Sequence, residues 1–167
     1  LAPAAQTYLD LGFGDMAGTV QHTQKNGWFS GHNHYDWGAR DWSGWYGIQR
    51  TNALLEKRAI ELENEFFQGV ALTMKSFVFG NITDLWGDAP YTDAMKGTQG
   101  GNQFEYPAFD PQETIYLGVI EDLKKAAAFF ASADGEGVTS SADLYFGGDS
   151  EKWQRFANSL LLRYYMR

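Results

Sequence analysis

A chain of 167 residues with 44% hydrophobic content is long enough to bury one core and too apolar to stay disordered. Its 21 acidic against 13 basic residues, a net charge of −8, argue against a nucleic-acid binder and against a polybasic membrane surface. Without cysteine there is no disulfide, thiolate metal site or cysteine nucleophile, and Lys75 interrupts the longest apolar stretch well short of the ~20 residues of a membrane span.

Leu1–Leu11 reads as a short helix that tolerates Pro3 in its first turn. From about 12 to 40 the chain is rich in Gly, Asn, Thr and Gln and reads as a long loop, a length usually kept for function. Helical spacing then sets in over about 41–60, with Trp45, Ile48, Asn52, Leu55 and Ala59 on one stripe. A second helix is expected over about 64–86, apolar on so wide a face that it should be buried on more than one side, and Gly87-Asp88-Ala89-Pro90 stops it. After a Gly-rich loop, Asp110-Pro111-Gln112-Glu113 reads as a capping box opening a helix over about 111–133, with Tyr116, Ile120, Leu123, Ala127 and Phe130 inward. A polar connection leads to a last helix over about 150–167. That helix carries no Gly or Asn cap at its end, so the sequence is expected to be one part of a larger helical protein.

The expected class is all-α. Phe67, Val70, Ala71, Met74 and Val78 recur as Trp153, Phe156, Ala157, Leu160 and Tyr164 at a constant offset of 86. This alternation of large and small residues fits tetratricopeptide-like helical hairpins with long loops, although two unrelated amphipathic helices would show the same spacing.

Chemistry is sparse. His32 and His34, with Asp36, would project to one side of an extended segment, but two imidazoles without a clear third or fourth ligand make a poor metal site. Asp84 and Asp88 lie one turn apart, as glycoside hydrolysis would need of two carboxylates at a defined separation; Asp88 in its turn is more simply a cap. Asp134, Glu136, Asp143 and Asp149 form an acidic set that would admit Ca²⁺, with solvated loop charge the simpler reading; no other cofactor is implied. No nucleophile elbow, P-loop or dinucleotide fingerprint is present, so no catalytic residue is assigned. The densest feature is aromatic: Trp28, Tyr35, Trp37 and Trp42, in or beside the long loop, offer faces on which sugar rings stack. His32, His34, Asp36 and Arg40 stand among them as hydrogen-bonding partners for hydroxyls. Trp45 and Tyr46 read as helix core.

An ordered series of motifs resembles the SusD/RagB family of bacterial surface nutrient-binding lipoproteins. It runs through Asp84-Leu85-Trp86-Gly87-Asp88-Ala89-Pro90-Tyr91, Ala94-Met95-Lys96-Gly97, Phe109-Asp110-Pro111 and Asp143-Leu144-Tyr145. It closes with Gly147-Gly148-Asp149, Lys152-Trp153 and Phe156-Ala157-Asn158-Ser159-Leu160. Ala89 departs from the family's usual Ile or Val, and the loop before Tyr106 is unusually Gly-rich. The resemblance is to the opening part of much longer chains. It implies a non-catalytic protein that binds oligosaccharide, or peptide in RagB-like members. It also implies delivery to a SusC-like TonB-dependent transporter from the outer-membrane surface, with attachment through an N-terminal lipidated cysteine that this chain does not contain. The alternative is a helical-repeat scaffold that binds protein partners only.

Overall fold

The computed structural model describes residues 41–133 and 141–167, and among these the backbone is helical, with a single isolated bridge and no strand. Helix α1 (Ser43–Glu61) starts where the Asp41 carboxylate accepts the Ser43 N–H at 2.8 Å. One of the donors left over in the first turn is thereby satisfied. The helix reverses within three residues: Glu63 takes a left-handed φ of 51°, and Asn64 caps α2 (Glu65–Trp86) by accepting from Phe67 N–H at 2.9 Å. Asn52 donates to the Ala71 carbonyl and Gln49 to the Lys75 carbonyl, both at 2.9 Å. The paired numbers run in opposite directions, so α1 and α2 form an antiparallel hairpin.

Helix α2 is central. Phe66, Val70, Ala71, Met74, Val78, Phe79 and Ile82 are all buried, since α1, α4 (Gln112–Ser132) and α5 (Ser150–Tyr165) each pack against it. Polar groups inside this core are paired: Ser76 Oγ donates to the Val119 carbonyl at 3.2 Å, and Tyr164 Oη to the Ser76 carbonyl at 3.1 Å. Gly80 permits that second bond, because any Cβ at this position would collide with the Tyr164 phenol. The residues related by the 86-residue offset do equivalent work. All are buried except Phe67 and Phe156, which pack half-buried against the same core.

Between α2 and α4 the expected loop contains a 3-10 turn (Gly97–Gln99) and one short helical turn, α3 (Asn102–Glu105). The buried face of α4 is Ile115, Val119, Ile120, Leu123, Ala126 and Phe130, a stripe centred nearer Ile115 than the expected one through Tyr116 and Ala127. The capping box expected at Asp110 is not formed. Helix α4 starts at Gln112 behind Pro111 with no side-chain cap of its own. Asp110 faces the other way: its carboxylate accepts from Tyr91 N–H at 2.9 Å and from Thr92 N–H and Oγ1 at 2.8 Å each. The cap is supplied from a distance by Asp88, which accepts the Gln112 N–H at 3.0 Å. Ala89, wholly buried, exchanges backbone bonds with Asp110 at 3.0 and 3.2 Å.

Candidate functional site

Of the residues the sequence nominates for ligand contact, Trp28, His32, His34, Tyr35, Asp36, Trp37 and Arg40 lie outside the described residues. Trp42 lies inside them, immediately before α1, and forms the hub of an aromatic cluster. Its indole sits 5.8 Å from the Tyr46 ring, 6.0 Å from Trp86 and 5.4 Å from Phe109, all at steep interplanar angles. Three parts of the chain converge here: the start of α1, the last residue of α2, and the segment leading into α4.

The anchor on the inner side is Tyr46. Its hydroxyl donates to the Pro90 carbonyl at 2.6 Å, and its ring meets Phe79 at 6.0 Å. Burial, with the Asp110 charge adding to it, holds this phenol far above the ordinary tyrosine range, so it stays a neutral donor. Outward the cluster opens: Phe109 keeps 59% of its surface exposed, Leu85 beside Trp86 in sequence keeps 59%, and Trp42 and Trp86 are half-buried. Rings packed against one another at steep angles, from two helix ends and the segment before α4, provide C–H-stacking surface with less conformational freedom to lose on binding.

The carboxylates near this cluster are committed to the architecture. Asp84 accepts from Arg163 at 2.9 Å and Arg167 at 3.2 Å and receives a short bond from the Tyr116 hydroxyl, clamping the end of α2 to α4 and α5. Desolvation and the Asp84 bond together push the Tyr116 phenol up to about 12. Asp88 caps α4, as described. The carboxylate pair that hydrolysis would require is therefore bonded into the frame at both members.

Within the acidic loop set, Asp143 differs from the solvated charge expected of it. Asp143 is 5% exposed and accepts four hydrogen bonds, from Tyr145, Phe146 and Gly148 N–H and from the Trp153 indole at 2.7 Å. Asp149 caps α5 by accepting from Lys152 N–H at 3.0 Å. Asp134 and Glu136 lie outside the described residues, and among the described ones no three His, Asp or Glu side chains converge as metal ligands.

Sequence reasoning missed Trp86 and Phe109 as members of the cluster. The available signal was positional: an indole on the last residue of a helix, before Gly87, has no further turn of its own helix to cover it.

Two solved structures resemble this chain in fold. A SusD homologue from Bacteroides fragilis NCTC 9343 matches with a TM-score of 0.70 at 23% identity, over 86% of this chain and 29% of that one. A SusD/RagB family protein from Bacteroides thetaiotaomicron VPI-5482 matches with a TM-score of 0.65 at 28% identity, over 75% of this chain and 25% of that one. The chain thus spans under a third of the length of either relative. No curated protein matches it. A family model described as starch-binding and associating with the outer membrane, SusD-like, matches residues 8–167. With nearly the whole sequence covered by that model and the helical frame shared with both structures, the chain belongs to the SusD-like family.

Proposed function

We propose that this chain is part of a non-catalytic binding protein that holds an oligosaccharide, or a peptide, at the bacterial cell surface and passes it to a SusC-like TonB-dependent transporter. The observation that carries this reading is the half-open aromatic cluster of Trp42, Trp86 and Phe109, gathered from two helix ends and the segment leading into α4. The family description of starch binding with outer-membrane association supports the glycan side of it. The engagement of Asp84 and Asp88 in structural bonds supports binding without chemistry. On the same reading the protein is held to the outer membrane by a lipid on an N-terminal cysteine outside this sequence.

A second reading, a scaffold that binds proteins only, is favoured by an apolar groove of about 290 Å³ on α1, walled by Gly44, Gly47, Ile48 and Leu55 with Met74 beneath. Titrating the full-length protein with malto-oligosaccharides while following tryptophan fluorescence separates the two. Stacking on Trp42 or Trp86 shifts the emission, and Trp42→Ala weakens binding by about tenfold or more, the loss of one stacked ring. No response to any glycan or peptide, together with capture of the transporter alone, overturns the first reading.

A further inference from the structure

Further along α1 from the aromatic cluster, Gln49, Asn52 and Glu56 form one wall of a cleft of about 220 Å³; Lys75, Tyr91 and Lys96 stand on the other. Gln49 is 1% exposed and Asn52 8%, and each donates its amide nitrogen to a carbonyl of α2 at 2.9 Å. With the nitrogens so fixed, each amide keeps its oxygen as an acceptor, and no described residue donates to either. Glu56 is likewise bonded to no described residue. Three acceptor-bearing residues, one of them anionic, thus line the cleft from α1.

The opposite wall carries two ammoniums, each paired with a carboxylate. Lys75 pairs with Asp122 at 2.8 Å and lies 5.7 Å over the Tyr91 ring. Lys96 pairs with Asp93 at 3.1 Å, where both side chains are more than a third exposed, so this pair is weak and the ammonium turns away at little cost. Each ammonium has three donors and keeps some for a ligand.

A cleft with acceptors on one side and ammoniums on the other selects by charge. A dicarboxylate would meet Glu56, a diamine would meet both lysines, and a neutral sugar would leave the Glu56 charge unanswered. Volume narrows the class further. At ~30 Å³ per water the cleft holds about seven waters, which is room for one small molecule and falls short of the ~300 Å³ at which drug-sized sites begin. We propose that this cleft binds a free α-amino acid, with its ammonium on Glu56 and the amide oxygens of Gln49 and Asn52 and its carboxylate on Lys96 and Lys75. This site is separate from the aromatic cluster and does not rest on the oligosaccharide reading.

The test is calorimetric titration of the full-length protein with each of the common free L-amino acids at millimolar concentration, followed by the N-acetyl and amide forms of any that bind. The expected result is binding of at least one free amino acid, with either blocked form at least about tenfold weaker, as loss of a charge-assisted hydrogen bond requires. Glu56→Gln and Lys96→Met each weaken it by a similar factor while the melting temperature stays put, since neither side chain holds the core together. Absence of heat with every amino acid, equal affinity for the N-acetyl form, or undiminished binding by a folded Glu56→Gln protein overturns the proposal.

Discussion

Replacing Asp143 by Asn tests whether one buried carboxylate organises the turn into α5. One carboxylate oxygen accepts from Gly148 N–H at 2.9 Å and from the Trp153 indole at 2.7 Å; the other accepts from Tyr145 N–H at 2.9 Å and Phe146 N–H at 3.3 Å. An amide turned either way sets its NH₂ against two donors. Two charge-assisted bonds at ~1.5–3 kcal/mol each are then lost, and because the Phe146 bond is long the variant should be destabilised by about 3 kcal/mol. That is a large share of the ~5–15 kcal/mol available to a domain. Urea unfolding of the full-length protein by far-UV circular dichroism measures it. Trp153→Phe alone should cost less, and the double variant less than the sum of the two, because they share a bond. The pH dependence follows the same bonds. Desolvation opposes ionisation of Asp143, but the N–H groups of Gly148, Trp153, Tyr145 and Phe146 outweigh it and hold the carboxyl below its ordinary range. Its stabilising contribution is therefore complete above the unfolded value of ~3.9 and lost as pH falls through the lower folded value. Acid unfolding should begin below about pH 4, and less steeply in Asp143→Asn. A cost under ~1 kcal/mol, or strict additivity with Trp153→Phe, would refute the account.

Asp88→Ala should lower stability by about 1 kcal/mol through the lost cap on Gln112, read as a shift in the urea midpoint. Asp110→Ala should cost more, about 2 kcal/mol, because three bonds to Tyr91 and Thr92 go at once; a cost confined to Asp110→Ala, with Asp88→Ala neutral, would restore the local capping box. Gly80→Ala should destabilise by about 1–3 kcal/mol through its collision with the Tyr164 ring, and an unchanged melting curve would show that α5 can withdraw freely. Phe109→Ala should weaken oligosaccharide binding in the fluorescence titration while leaving the melting temperature within a few degrees, as befits a ring that is 59% exposed.

What the sequence made legible is what local rules govern. Apolar spacing placed the four long helices, and the breadth of the α2 stripe announced its burial on several sides before its neighbours were known. What escaped was the choice of long-range partner. Asp110 and Asp88 are both good capping residues, and local reading favours the one next to the helix. The bridge between Ala89 and Asp110 brings the two segments together and lets them exchange tasks. Asp143 sits in a polar, Gly-rich stretch that reads as solvated. It is buried because Trp153, ten residues on, turns its indole back into the loop. The aromatic cluster fails local reading for the same reason: Trp42, Trp86 and Phe109 are far apart in sequence and become neighbours only when α2 returns along α1.

That division bears on what the site can do. A protein that holds its cargo and passes it on unchanged requires contact groups that attract without reacting. It also requires that any reactive groups nearby be occupied. At the end of α2 the carboxylates point into the frame: Asp84 to two arginines and a tyrosine, Asp88 to a helix start, Asp110 to the loop backbone. The rings are what point out. Trp86 and Phe109 rest beside those pinned segments, so the bonds that occupy the carboxylates also help fix the spacing of the stacking surface. Loosening a carboxylate should therefore blunt binding without creating hydrolysis. In Asp84→Asn, where Arg163 and Arg167 lose their anion, the end of α2 and Trp86 with it gain freedom that a ligand must then remove.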